Sequence, residues 1–186
     1  MGTTGFTGWL VAAQFGDETG FGMLWRELNP AVMRYLQVAA GDAAEDLASE
    51  TWLQVVRGLK DFRGDEPGFR SWVFTIARHK VHDWHRQRGR RAAAHLDDAA
   101  AAALRAADDT EEAALETLGT DAALRLIRAL PPDQAELLLL RLVVGLEVAD
   151  VARLLHKSPG AVRVGTHRAL QRLRALAAPE PAMVTL

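Results

Sequence analysis

Between Asp150 and Glu180 the chain carries no acidic residue, and within that interval two runs of apolar residues at helical spacing flank a short turn. Val148, Val151, Ala152 and Leu155 fall at i, i+3, i+4 and i+7, one face of a helix over 147–155. The small Ala152 at the crossing point lets a second helix approach closely. His156 and Lys157 form the turn, Ser158 supplies an N-cap hydroxyl, and Pro159 takes the first helical position, where a missing N–H costs nothing. The next helix, over 159–176, turns Val162, Thr166, Ala169, Leu170 and Leu173 inward. Its other side carries Gly160, Val164, His167, Arg168 and Gln171, flanked by Arg163 and Arg174. Two packed helices with a short turn, the second basic on its outer face, have the geometry that enters a major groove. The other reading is an αα-hairpin with a solvated basic face; charge, capping and spacing together favour the helix-turn-helix. Helices over 121–130 and 133–144 complete a four-helix unit spanning 121–177, and the proline-containing tail 178–186 is expected to fray.

Elsewhere the chain is rich in Leu, Ala, Arg and Trp and has neither β-branched runs nor Asn-Gly or Asp-Gly turns, so the expected fold is all-α. Two small helical domains are expected, the second a helix-turn-helix (winged-helix-like) unit. A chain of 186 residues accommodates both. The absence of cysteine excludes disulfides, thiolate zinc sites and cysteine nucleophiles, and fits a cytoplasmic location. The run Trp9–Ala13 is too short to cross a bilayer and follows no Lys or Arg, so neither a signal peptide nor a membrane anchor is expected. Residues 1–15 read as an N-terminal extension and 16–91 as the first domain. Its helices are expected at 17–28, at a second helix capped by Asn29 with Pro30 at its first position, at 43–59, and from about 69 to 88 after a loop over 60–68. Residues 92–120 are rich in alanine and acid, with Asp97, Asp98, Asp108, Asp109, Glu111, Glu112 and Glu116 against the single base Arg105 over 97–116. They read as a flexible, acidic linker. The net charge of −2 therefore averages over strongly segregated signs.

The first domain carries a second basic element. Over 69–88, Phe69, Trp72, Val73, Ile76, Ala77 and Trp84 form an apolar stripe, with Ser71, Thr75, Arg78, His82 and Arg86 opposite. Such a face suits phosphates, and Phe62 and Phe69 are expected to be able to stack unpaired bases. The helix over 43–59 differs: Leu47, Ala48, Thr51, Trp52, Val55, Val56 and Leu59 point inward, while Asp46, Glu50, Leu53 and Arg57 point out beside Ser49 and Gln54. An exposed leucine among acids suggests a protein partner rather than nucleic acid. His79, His82 and His85 could ligate zinc in principle, but the i, i+6 pair is spread about 120° around a helix and no carboxylate or thiolate nearby completes the set. No metal is expected.

These elements, in this order, resemble a bacterial sigma factor of the extracytoplasmic-function (ECF, group IV) class of the sigma-70 family. The resemblance is carried by Gly16-Asp17-Glu18 with Phe21 and Leu24-Trp25, by Ala44-Glu45-Asp46-Leu47 with Glu50-Thr51-Trp52, and by Phe62-Arg63-Gly64-Asp65. It continues through Phe69-Arg70-Ser71-Trp72-Val73-Phe74 and Ile76-Ala77-Arg78, then Leu130-Pro131 with Gln134, Val151-Ala152 with Leu154-Leu155, and His167-Arg168-Ala169-Leu170 with Leu173-Arg174. Departures are Ser49 where the family often has Gln, His156 for a common turn glycine, Lys157 at a usually apolar position, and Val164 and Gly165 where polar or basic residues are frequent.

The resemblance implies that 16–91 is sigma region 2 and 121–177 sigma region 4. It implies that Asp46, Ser49, Glu50, Leu53, Gln54 and Arg57 dock on the coiled-coil of the largest polymerase subunit, with the polymerase flap as a further contact. It implies that Phe62, Arg63, Gly64 and Asp65, with Arg78, His79, His82, Asp83 and Arg86, open the minus-ten element and hold its non-template strand. Ser158, Gly160, Arg163, Val164, His167, Arg168 and Gln171 are implied readers of the minus-thirty-five duplex, with Val164 placed to touch a thymine methyl. The linker is implied to thread near the polymerase active-site cleft. An anti-sigma factor is an implied partner; catalytic residues, cofactors and membrane insertion are not implied. The competing functions are a self-sufficient helix-turn-helix regulator, which has no use for the first domain's two faces, and a metal-dependent helical enzyme, which rests on the three histidines alone.

Overall fold

Asp17 starts the second helix of the computed structural model, which describes residues 3–94 and 117–177. Its carboxylate accepts the Gly20 N–H at 2.7 Å, satisfying one of the donors that a helix start leaves over. The chain divides into two compact units, Met1–Glu112 and Ala113–Leu186. Most of the acidic linker, from 95 to 116, and the tail from 178 onward lie outside the described residues.

The first unit contains α1 (Thr3–Gln14), α2 (Glu18–Ala40), α3 (Ala44–Gly58) and α4 (Glu66–Ala94). The sequence pattern predicts a helix boundary at Asn29–Pro30; α2 instead runs through it, with Pro30 inside. The reason is tertiary. Leu24, Leu28, Ala31, Val32, Tyr35 and Leu36 form one unbroken buried stripe, which a break at Pro30 would split. An interior proline costs about 3 kcal/mol, and Pro30 and Arg26, whose carbonyl the ring leaves without a helical donor, are both exposed residues. Asn29 does not cap; its Oδ1 accepts the indole N–H of Trp52 from α3 at 2.9 Å. The helix predicted from Phe69 begins a turn earlier, because Asp65 caps it: Gly68 N–H reaches its Oδ1 at 2.9 Å and Phe69 N–H its carbonyl at 2.8 Å.

Residues 1–15, expected as an extension outside the first domain, contribute α1 to the first unit. Phe6, Leu10 and Ala13, at i, i+4 and i+7, are buried against α2. Gly20 makes this docking possible, since a Cβ there would lie 2.8 Å from the Trp9 carbonyl and 2.9 Å from the Ala12 Cβ.

The second unit contains α5 (Thr117–Arg128), α6 (Pro132–Leu138), a π turn over Leu139–Val143, α7 (Val148–Leu154) and α8 (Pro159–Ala177). Among the described residues there is no strand. The single helix expected over 133–144 ends in the wider turn because Leu137, Leu138, Leu139 and Leu140 are all buried, more than one 3.6-residue stripe can hold. Val144 N–H then reaches the Leu139 carbonyl at 2.9 Å, Gly145 turns at φ 77°, and the Arg141 side chain donates to the Leu146 carbonyl. Helix α8 packs on α5, α6 and α7.

Gly20→Ala is expected to destabilise the first unit by about 1–3 kcal/mol through overpacking against backbone. Gly22→Ala, whose Cβ meets nothing within 4 Å, should stabilise the same helix by up to about 1 kcal/mol. Opposite shifts in denaturant midpoint are the expected result.

Candidate nucleic-acid interface

The turn before α8 is a Schellman-type cap of α7: Lys157 N–H reaches the Ala152 carbonyl at 2.9 Å and His156 N–H the Arg153 carbonyl at 3.3 Å. His156 takes the left-handed position, at φ 53°, where glycine is usual. Ser158 then caps α8, its Oγ accepting the Ala161 N–H at 3.1 Å. Val162 and Ala169 are wholly buried, whereas Ser158, Gly160, Arg163, Val164, His167, Arg168 and Gln171 are all exposed. From Gly160 to Gln171 they occupy one arc of the helix, bounded by Arg163 and Arg168, and Arg174 lies within it next to Arg163. Gly165 is not part of that arc: a Cβ there would touch the Leu137 side chain at 3.4 Å, so it faces α6. Asp150, the last acid before α8, is buried and paired with Arg153.

In the first unit the loop between α3 and α4 is built on aromatic contacts. Phe69 is 0% exposed, so it does not stack unpaired bases as its position near the loop predicts. Its ring is the floor of the loop, with Phe62 at 5.2 Å, Trp72 at 5.6 Å and Phe6 of α1 at 5.8 Å between centroids. Phe62 is half-buried and also lies 5.2 Å from Trp72. Arg63 and Gly64 are exposed, but Arg63 Nη1 folds back to the carbonyls of Lys60 at 2.7 Å and Phe62 at 2.8 Å. The Asp65 carboxylate is engaged in the cap of α4.

Along α4 the structure brings Arg78, His79, His82, Asp83 and Arg86 onto one outer face, with Arg78 half-buried and the others exposed. Arg86 pairs with Asp83 at 2.7 Å. His85 turns aside and makes a 3.1 Å hydrogen bond with the Ala39 carbonyl, separating it from His79 and His82. No group of three or more metal-ligating side chains gathers among the described residues. Phe74 and Val81, absent from the expected stripe, are buried.

The outer face of α3 is as expected for Asp46, Ser49, Glu50, Leu53, Gln54 and Arg57, all exposed. Val56, expected inside, is 50% exposed beside Leu53 at 57%, because it sits at the edge of the helical wheel where α3 meets solvent. Trp25, 42% exposed, is legible in the sequence only as part of a motif; it lies beside the buried α2 stripe, in a row between Phe21, which packs edge-on against Trp52, and Asn29. Glu50 is not isolated: Lys80 of α4 reaches it at 3.1 Å.

Residues 24–91 match the family model for sigma-70 region 2 and residues 120–173 the model for sigma-70 region 4. The chain is 38% identical over 171 residues to the ECF RNA polymerase sigma factor ShbA of Streptomyces griseus, covering 87% of this chain and 90% of the relative. It belongs to the ECF sigma factors. It is also 33% identical to SigD of Mycobacterium tuberculosis, over 89% of this chain and 80% of that protein. This sigma factor shares its fold with RpoE of Bartonella quintana, solved with the anti-sigma factor NepR, at a TM-score of 0.65 and 21% identity over 87% of this chain and 98% of that one. The fold is shared too with CnrH, solved with the cytosolic domain of CnrY, at a TM-score of 0.62 and 23% identity over 91% and 94% of the two chains. As a sigma factor, the chain binds core RNA polymerase and gives it promoter specificity. Among the described residues no helix is long and apolar enough to cross a membrane.

At the turn of this sigma factor's helix-turn-helix, His156→Val should destabilise the second unit by about 1–2 kcal/mol, because a β-branched residue is strained at positive φ. His156→Gly should be neutral or stabilising. Thermal unfolding of the two variants gives the comparison.

Proposed function

We propose that this sigma factor divides promoter opening among three surfaces. The outer face of α3, with Asp46, Ser49, Glu50, Leu53, Gln54 and Arg57, docks on the coiled-coil of the largest polymerase subunit, and exposed Trp25 and Val56 extend that contact. Phe62–Asp65 and the α4 face of Arg78, His79, His82, Asp83 and Arg86 open the minus-ten element and hold its non-template strand. Within the loop, Arg63 and Gly64 meet the strand, while Asp65 acts through its cap. Helix α8 reads the minus-thirty-five duplex with Arg163, Val164, His167, Arg168 and Gln171, while Ser158 and Gly160 set its N-terminus against the backbone.

The observation that carries this reading is that one small unit exposes two faces of opposite chemistry. One, on α3, is acidic with apolar residues; the other, on α4, is basic and histidine-rich. A protein partner and a nucleic-acid strand are the fitting occupants. Acid-free α8 supplies the separate duplex contact. The chain acts in the cytoplasm and catalyses no reaction of its own, chemistry being left to the polymerase. An anti-sigma factor is a further partner of these surfaces; the fold neighbour RpoE is solved with the anti-sigma factor NepR.

The test mixes the purified chain with bacterial core polymerase and genomic DNA. Co-elution with core and initiation at a discrete set of start sites support the reading; DNA binding with no polymerase association refutes it. Reversing charge at Asp46 and Glu50 together should weaken core binding by at least about 30-fold, the scale of a central interface contact, while the second unit keeps its unfolding transition. Unchanged affinity sinks the α3 assignment. Replacing Arg163 or Arg168 with Ala should lower upstream-duplex binding and reduce its salt slope by about 1 for each phosphate no longer neutralised.

A further inference from the structure

Gln14 lies ahead of the region 2 match, which begins at residue 24, and belongs to none of the three surfaces. Its side-chain amide reaches far along the chain, donating from Nε2 to the Leu59 carbonyl at 3.1 Å and to the Phe62 carbonyl at 2.9 Å. Both partners are acceptors, so only the NH2 end of the amide fits there. The same two carbonyls take a local donor each: Phe62 N–H reaches Leu59 O at 3.2 Å and Arg63 Nη1 reaches Phe62 O at 2.8 Å. The two N–H bonds of one planar amide leave at a fixed angle. Holding carbonyls three residues apart, they set the curvature of the chain as it leaves α3 and enters Phe62–Asp65.

The clamp is mounted on a packed support. Helix α1 is held to α2 through Phe6, Leu10 and Ala13, and Phe6 meets Phe69 edge-on beneath the loop. From there Gln14 grips the loop from outside its own hairpin, while Arg63, also turned to loop carbonyls, grips it from within. We propose that Gln14 is a positioning residue for strand capture. By fixing the Leu59 and Phe62 carbonyls it presents the loop to the melted non-template strand already shaped, so the strand does not have to order it on binding. This rests on the proposed role of Phe62–Asp65.

The test uses holoenzyme assembled from the full chain and a promoter found by start-site mapping. Three affinities are measured: for core polymerase, for an upstream duplex bearing the minus-thirty-five element, and for a labelled single-stranded oligonucleotide carrying the non-template minus-ten sequence. Gln14→Met keeps length and removes both donors; Gln14→Glu keeps shape and sets an acceptor against two acceptors. Each should weaken the single-strand affinity by about tenfold, consistent with losing two part-buried hydrogen bonds, and speed amide hydrogen exchange over 60–64. Core and duplex affinities should stay unchanged. Unchanged single-strand affinity, or an equal fall in core affinity, overturns the proposal. Arg63→Ala and Phe62→Ala are measured alongside. If they weaken strand binding and the Gln14 variants do not, the clamp alone is wrong; if none of them does, the loop's role in strand capture is wrong as well.

Discussion

Phe69, held wholly out of water, is touched by rings from three parts of the first unit: Phe6 of α1, Phe62 of the loop and Trp72 one turn along α4. Each such ring pair contributes about 0.5–1.5 kcal/mol beyond the burial of its area. The position of the loop, the docking of α1 and the first turn of α4 are therefore settled together. Two glycines make room for this arrangement. A Cβ at residue 58 would stand 2.8 Å from the Trp72 ring, and one at residue 64 would stand 2.9 Å from the Phe62 ring. The segment proposed to meet single-stranded DNA is thus built on a buried aromatic seam: Arg63, Gly64 and Asp65 are exposed above it, and the carbonyls of Phe62 and Asp65 are already hydrogen-bonded.

What the sequence made legible is what local rules decide. The α7–α8 hairpin follows from a 3.6-residue stripe, an N-cap serine and a following proline, and it stands where the pattern places it, with His156 at φ 53° in the glycine-like position. The outward set of α3 was equally readable. Misreadings occur where distant partners override a local rule. Pro30 signals a helix start until the buried stripe from Leu24 to Leu36 carries the helix through it. Phe69 reads as a base-stacking ring until three other rings enclose it. Four consecutive leucines read as an ordinary helix, although burying all of them widens the backbone into a π turn. Contacts between residues 14 and 62, or between Glu50 and Lys80, leave no periodic trace and become visible only in three dimensions.

The electrostatics follow the same division between surface and seam. Asp83–Arg86 and Asp150–Arg153 are both neighbours at i, i+3; the first is exposed and contributes little to stability, about 1 kcal/mol or less, while in the second the carboxylate is buried and the guanidinium exposed. Their effect is on sign. Asp83 trims the positive charge of the α4 face, while α8 keeps its own undiluted because Asp150 is withdrawn into the core. Lys80 reaches across from the basic helix to Glu50 on the acidic one. It lies where the two chemistries of the first unit meet, so charge reversal at Glu50 also removes an ion pair between α3 and α4.

Helix α1 contains no charged residue among its twelve, and two of them are glycine. A helix so short and so poor in favourable side-chain pairs is marginal alone in water. Its hydrogen bonds therefore persist only while Phe6, Leu10 and Ala13 are seated against α2. Docking and helix formation become a single cooperative event, without a stable intermediate in which α1 is coiled but detached. The Gln14 amide arrives at the loop, or leaves it, with that event. One restraint on the backbone between α3 and α4 is thus governed by a remote equilibrium at α1, and that restraint is lost in one step, leaving the loop to Arg63, the Asp65 cap and its own rings.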